Sequence, residues 1–123
     1  MAPIIQDTFS ISMVALRGLV VFPDMTLHFD IGRKKSISAV KNAMLSKQRI
    51  FLLTQTDLSE EVNGVNDLYR MGVVCDIKQL VRLPSGEYYR VVVEGKYRAR
   101  LIDLLETTPN LVAEVRAVTT REP

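Results

Sequence analysis

Apolar and polar residues alternate with a period of two in several short stretches, which is the pattern of strands with one buried face. Residues 9–13 begin this pattern, and residues 14–16 continue it. In residues 25–31 the polar side chains of Thr26, His28 and Asp30 share one face. The opposite face carries Met25, Leu27, Phe29 and Ile31. Both segments therefore predict strands.

After Gly32 the apolar period changes to that of a helix. Ile37, Val40 and Met44 follow one another at helical spacing, and alanines lie beside them. One apolar stripe of this kind predicts a helix of about four turns over about residues 33–47.

The predicted helix begins with three cations, Arg33, Lys34 and Lys35. Each opposes the helix dipole by about 0.3–1 kcal/mol. The stretch is either a helix start that attracts an anion or a solvated basic end close to Asp30. The second interpretation is favoured, because no glycine-rich phosphate-binding loop precedes the helix.

The middle of the chain predicts a buried strand, a loop and a longer strand. Residues 49–54 are a short apolar run, and residues 55–66 are polar and acidic. The next strand is assigned an apolar face interrupted by Gln79. That face carries Val73, Cys75, Ile77, Val81 and Leu83.

The end of that strand predicts a hairpin. Residues 83–86 have proline at the second position and glycine at the fourth, as in a type I turn. The turn leads into a strand over residues 87–94. Gly95 then indicates a bulge or a bend. Alternation resumes in residues 96–102 and 111–117.

These patterns together predict six or seven strands of uneven length and one helix. Hairpin connections favour a small barrel or pseudo-barrel over an open parallel sheet. Residues 19–22 are consecutive apolar residues ended by Pro23. They predict a buried strand, or an apolar loop around which the chain folds.

Composition indicates one ordinary globular domain. The chain has 123 residues, 47% of them hydrophobic, and a net charge of +2. This charge does not favour nucleic acid or an anionic membrane as a partner. No apolar run approaches the roughly 20 residues of a membrane helix. Residues 1–8 lack the features of a secretory signal, so a reducing, cytoplasmic location is expected.

Few residues could support chemistry. Cys75 is the only cysteine and His28 the only histidine, so the chain cannot supply a zinc site of cysteines and histidines alone. P-loop, serine-hydrolase and zinc-protease motifs are absent. The residues therefore indicate a binding or assembly domain with no catalytic residue, metal or cofactor of its own.

Separated motifs resemble the N-terminal domain of Lon, the ATP-dependent protease. The first comprises residues 16–23, Met25 and residues 31–37. The second comprises residues 83–86, 91–95 and 98–100, and residues 68–69 and 71–74 lie between the two. The chain departs from the family pattern at Ala15, where proline is usual, and at Lys34, where an acidic residue is common. The hairpin tip at residues 87–89 is one residue longer than usual.

The resemblance implies a PUA-like pseudo-barrel over residues 9–118, with a flexible leader at 1–8 and a tail at a truncation point at 119–123. It implies the non-catalytic substrate-binding domain of a longer homohexameric protease. The ATPase domain, with its ATP and magnesium, and the Ser-Lys protease domain would lie in the rest of that protein. The implied partners are unfolded or damaged proteins. Neither a membrane nor a nucleic acid is expected to bind.

Recognition of unfolded chains calls for a shallow apolar patch with a polar rim. The candidate contact residues are Phe22, Met25, Phe29, Leu83, Tyr88 and Tyr89. The alternative for the first three is a place in the core.

Two other functions compete with this interpretation. The chain could be a PUA-like RNA-binding module that uses Lys96, Arg98 and Arg100. It could also be a small hydrolase that uses Cys75 and His28, which is disfavoured because the cysteine is assigned to an apolar strand face.

Overall fold

The computed structural model of the chain describes residues 8–16, 21–54, 71–84 and 86–118. Its elements, in chain order, are β1 (Thr8–Leu16), β2 (Thr26–Ile31), α1 (Lys34–Leu45), β3 (Arg49–Thr54), β4 (Met71–Arg82), β5 (Tyr89–Glu106) and β6 (Leu111–Ala117). The prediction of a mainly β domain with one helix is confirmed. The two strands predicted at 87–94 and 96–102 are one long strand, β5.

Five of the strands pair in a closed ring. Its order is β1, β3, β4, β5 and β6, and β6 pairs back to β1. Only the β1–β3 pair is parallel among the described strands. The sixth strand, β2, is added outside this ring and pairs with the N-terminal part of β5.

The buried residues form two clusters. The α1 core contains the buried residues of α1 and β2 together with residues of β1, β3, β4 and the first part of β5. The β6 core contains the buried residues of β6 and of the second part of β5. Successive β3 residues alternate between the two, with Leu52 in the α1 core and Phe51 and Leu53 in the β6 core. Burial on both faces explains why β3 is a continuous apolar run.

A register shift in β4 overturns part of the predicted face pattern. Ile77 pairs with Val93, whereas Gln79 pairs with Val92, so one extra β4 residue lies between the two pairs. Beyond this bulge Leu80 packs against the α1 core and Val81 is exposed. The assignment of Val81 to the buried face was wrong, because one extra residue reverses the alternation.

The bulge predicted at Gly95 is present. Cys75 pairs with Gly95 and Val74 pairs with Tyr97, which leaves Lys96 as the extra residue of β5. The predicted hairpin is present as well. The Gly86 N–H donates to the Leu83 carbonyl at 2.8 Å.

Asparagine side chains connect α1 to the loop between β5 and β6. Asn42 Nδ2 donates to Asn110 Oδ1 at 2.6 Å, and Asn110 Nδ2 donates to the Leu111 carbonyl at 2.8 Å. Asn110 is buried, so these bonds satisfy an amide that would otherwise be costly to bury. They hold α1 in place against the ring.

Several predictions fall outside the described residues. These are the leader up to residue 7, residues 19 and 20 of the apolar run, the acidic loop and the tail. Within that apolar run Val21 is buried, but Phe22 is exposed.

Candidate functional site

A tight turn just before β2 exposes two large apolar side chains. The Met25 N–H donates to the Phe22 carbonyl at 3.2 Å, and Asp24 adopts a left-handed conformation with φ of 67°. Phe22 is 49% exposed and Met25 is 36% exposed. The prediction that the run ending at Phe22 is buried therefore fails for Phe22 itself.

The turn is fixed to the bulge in β5. The Asp24 N–H donates to the Gly95 carbonyl at 2.9 Å, and the Gly95 N–H donates to the Met25 carbonyl at 2.8 Å. A Cβ atom on residue 95 would lie 2.5 Å from the Phe22 carbonyl oxygen. Only glycine allows this approach, so the bulge and the exposed turn depend on one another.

A cation lies beside the exposed ring. The Arg98 guanidinium carbon is 5.5 Å from the centroid of the Phe22 ring, within the range of a cation–π contact. Phe22, Met25 and Arg98 are called the turn surface below. It offers adaptable apolar contacts next to a positive charge.

The remaining exposed candidate lies at the opposite end of β2. Tyr88 is 50% exposed, and its ring lies against Gly32, where a Cβ would come within 2.5 Å of the ring. Thr26 pairs with Glu94 and Ile31 with Tyr89. At about 3.4 Å per residue, the two ends of β2 are roughly 17 Å apart. The predicted contact residues therefore do not form a single patch.

Three of the predicted contact residues are less accessible. Phe29 is 9% exposed and belongs to the α1 core, and the little of it that is accessible lines a cavity beside β2. Tyr89 is half-buried against that core, with the Lys41 Nζ atom 5.0 Å from its ring centroid. Leu83 is half-buried in the hairpin turn.

The structure also contains a groove that the sequence did not reveal. A cavity of about 700 Å³ lies between the start of α1, the middle of β1 and the β5–β6 loop. A second cavity, of about 470 Å³, lies between β2, the end of β1 and Tyr88. The two cavities share Ala15, Arg33 and Ser36, and together they are called the α1 groove below.

The α1 groove combines elements that are far apart in sequence, so no local pattern could predict it. The one local signal was the basic start of the helix. Arg33, Lys34 and Lys35 all line the groove.

Asp30 is the one acidic residue among the described residues that line the groove. Arg90 Nε lies 2.9 Å from Asp30 Oδ1 and Arg90 Nη2 lies 3.2 Å from Asp30 Oδ2, a two-point ion pair. The hydrogen bond from Arg90 lowers the pKa of Asp30 below the ordinary 3.8, so the carboxyl stays charged and paired. The three cations dominate the charge of the described lining.

The structure does not place Cys75 and His28 in a common site. Cys75 is buried in the α1 core on β4, whereas His28 is an exposed residue of β2. Burial, with a smaller contribution from the Asp76 carboxylate, raises the pKa of the Cys75 thiol to about 12. Such a thiol is protonated at neutral pH and is a poor nucleophile.

The described residues contain no group of three or more ligands that could hold a metal ion. The helix in the described part of the chain is too short to cross a bilayer.

The cations on β5 that the RNA-binding alternative would use contact different partners. Lys96 Nζ lies 3.7 Å from Asp76 Oδ2 and 3.5 Å from Glu94 Oε1. Arg98 lies over Phe22 instead. Neighbouring carboxylates therefore offset part of the positive charge that an RNA backbone would need.

The sequence and the fold are similar to known proteins. A family model described as the ATP-dependent protease La (LON) substrate-binding domain matches residues 10–123. The chain is 44% identical over 110 residues to the Lon protease of Clostridium acetobutylicum, covering 89% of this chain and 14% of that protein. It is 44% identical over 93 residues to Lon protease 1 of Bacillus subtilis, covering 76% of this chain and 12% of that protein. The chain thus spans only a small part of these relatives.

A solved structure shows the same fold at low sequence identity. The N-terminal domain of Mycobacterium avium complex Lon protease superimposes with a TM-score of 0.72 at 20% identity. The match covers 94% of this chain and 57% of the other.

Proposed function

This chain belongs to the family of Lon substrate-binding domains, and we propose that it is the non-catalytic N-terminal domain of a Lon-type protease that recognises unfolded or damaged proteins. The ATPase and the Ser-Lys protease domain, with their ATP and magnesium, belong to the remainder of that cytoplasmic protein. The domain also supports assembly of the hexamer.

The observation that carries this proposal is the turn surface. Most globular domains bury phenylalanine and methionine, yet here Phe22 and Met25 are exposed. Two backbone hydrogen bonds to Gly95 hold their turn against β5. Unfolded proteins differ from folded ones in their exposed apolar residues. A shallow apolar surface would bind many such sequences weakly.

Weak binding at one domain is compatible with the proposed role. Six copies in a hexamer would present six such surfaces to one flexible chain. After the first contact, each further contact is intramolecular, so the combined affinity exceeds that of one surface.

The placement of the reactive side chains supports a non-catalytic role. Cys75 has a raised pKa in the core, and His28 lies in another environment on β2. A nucleophile and its general base must lie within hydrogen-bond reach of each other. Recognition, and not cleavage, is therefore assigned to this domain.

The test is a binding assay with one protein in two states, a reduced and carboxymethylated unfolded form and its native form. We expect the domain to bind only the unfolded form. The double variant Met25→Ser/Tyr88→Ser should weaken this binding. Its free energy of unfolding should fall by no more than about 1 kcal/mol per site, because both residues are only partly buried.

Leu45→Ser is the matched control, because Leu45 is an exposed apolar residue at the end of α1 that lines neither the turn surface nor the α1 groove. It should leave binding unchanged. Equal binding of the native and unfolded forms would contradict the proposal. Salt-dependent binding of RNA, with no preference for unfolded protein, would favour the RNA-binding alternative instead.

A further inference from the structure

Apolar side chains line both cavities of the α1 groove. Met13, Ala15 and Leu111 line the larger cavity, and Leu16, Phe29 and Ile31 line the smaller one. The exposed ring of Tyr88 borders the smaller cavity, and Pro109 borders the larger one. A groove with such a lining binds apolar side chains by removing them from water.

The charge of the groove restricts what can occupy it. Its described lining carries the positive charges of Arg33, Lys34 and Lys35, and its one described carboxylate, Asp30, is paired with Arg90. Lys34 is exposed at this rim. An occupant with carboxylates would meet complementary charge, whereas one with lysines would be repelled.

The backbone of β2 borders the same groove. The Gly95 N–H donates to the Met25 carbonyl, so residue 25 occupies a hydrogen-bonded position of the antiparallel ladder. Hydrogen-bonded positions alternate along such a pair, so the N–H and C=O groups of Thr26, His28 and Asp30 point away from β5. Among the described strands, β5 is the one that pairs with β2.

An extended peptide can therefore pair with the outer edge of β2. Main-chain pairing of this kind tolerates different sequences, because it uses groups that every residue except proline possesses. The outer edge of β2 also connects the turn surface at one end with the α1 groove at the other.

We propose that the outer edge of β2 and the α1 groove together bind an extended, apolar segment of unfolded protein that carries carboxylates. The segment adds a strand to β2, places apolar side chains on the groove floor and directs its carboxylates to Lys34 at the rim. This inference rests on the proposed function, since it names the class of substrate that the domain selects.

The charge preference is tested with two labelled synthetic peptides of equal length. Both alternate the same apolar residues with charged ones, which are glutamate in one peptide and lysine in the other. Fluorescence anisotropy should show tighter binding of the glutamate peptide. Lys34→Glu should lower the affinity for that peptide about two- to fivefold, the range of one exposed ion pair.

Lys47→Glu is the matched control, because it changes the net charge equally at an exposed position after α1 and outside the groove. It should leave the affinity for the glutamate peptide unchanged. Equal affinity of the wild-type domain for the two peptides would overturn the charge assignment. So would equal effects of the two substitutions.

Strand addition is tested from the peptide side, so that no protein variant has to fold. Two glutamate peptides are N-methylated, one at the odd and one at the even amides. Only the amides of one set face β2, so one peptide should lose binding and the other should keep it. Equal behaviour of the two would overturn strand addition.

The outcomes separate this inference from the proposed function. Binding of carboxymethylated unfolded protein without any preference between the two peptides would refute the inference alone. Binding of neither unfolded protein nor peptide would refute both.

Discussion

The closed ring and the added strand β2 are built differently, although both belong to one sheet. In the ring, β1 and β3 contribute side chains to both cores, and each has a strand partner on either edge. β2 has one described partner, and its outward side chains are exposed. The two candidate binding surfaces lie at the ends of β2. We therefore expect the ring to contribute most of the stability and β2 to present the binding groups.

The largest expected difference between the two regions is in the stability lost when a leucine is replaced by alanine. Leu101 is fully buried in the ring, whereas Leu27 of β2 is partly buried. Leu101→Ala should lower the free energy of unfolding by about 3–5 kcal/mol. Leu27→Ala should lower it by about 1–2 kcal/mol, because less apolar surface returns to water.

Urea denaturation monitored by circular dichroism would measure both values. An equal loss for the two substitutions would show that β2 is as much a part of the folding core as the ring. The expectation that the ring contributes more to stability than β2 would then be wrong.

A smaller effect is expected where α1 joins the ring. Asn110→Ala removes a buried side chain that bonds to Asn42 and to the Leu111 carbonyl. Leaving these partners without their bonds should destabilise the domain by about 1–3 kcal/mol. Affinity for the glutamate peptide should fall as well, because α1 forms one wall of its groove.

Asn42→Ala is the informative comparison for that prediction, since it removes the exposed partner and retains the bond to Leu111. It should destabilise less than Asn110→Ala. A destabilised Asn110→Ala domain that binds the peptide normally would show that α1 keeps its position without this contact.

The smallest effect concerns the ion pair that links β2 to β5. Because Arg90 lowers the pKa of Asp30, the pair adds stability above the carboxyl's ordinary 3.8 and loses it as the pH falls through the lower folded value. Asp30→Asn should therefore lower the thermal midpoint slightly at pH 7, and the difference should vanish at strongly acidic pH. A difference that persists at acidic pH would assign the effect to packing.

Local patterns predicted much of this fold. The alternation around Phe29 identified the buried face of β2, and the proline and glycine of residues 83–86 identified the β4–β5 turn. These features depend on neighbouring residues. The face of Val81 could not be predicted, because its orientation depends on a bulge whose extra residue is defined only by the pairing of β4 with β5.

The candidate site was less predictable for the same reason. Phe22 lies in an apolar run that resembles a core strand, and it is exposed because the turn is held against Gly95, far away in sequence. The α1 groove combines β1, α1 and the β5–β6 loop. Its cations were visible in the sequence, but the apolar floor beside them was not.

The state of Cys75 has a practical consequence for these experiments. It is the single cysteine of the chain, it is fully buried, and its pKa of about 12 keeps it protonated at neutral pH. A maleimide dye should therefore leave the native domain unlabelled. A cysteine introduced at position 22 or 34 would then be the one reactive attachment point. A fluorophore there could report peptide arrival at either end of β2 without removal of the natural thiol.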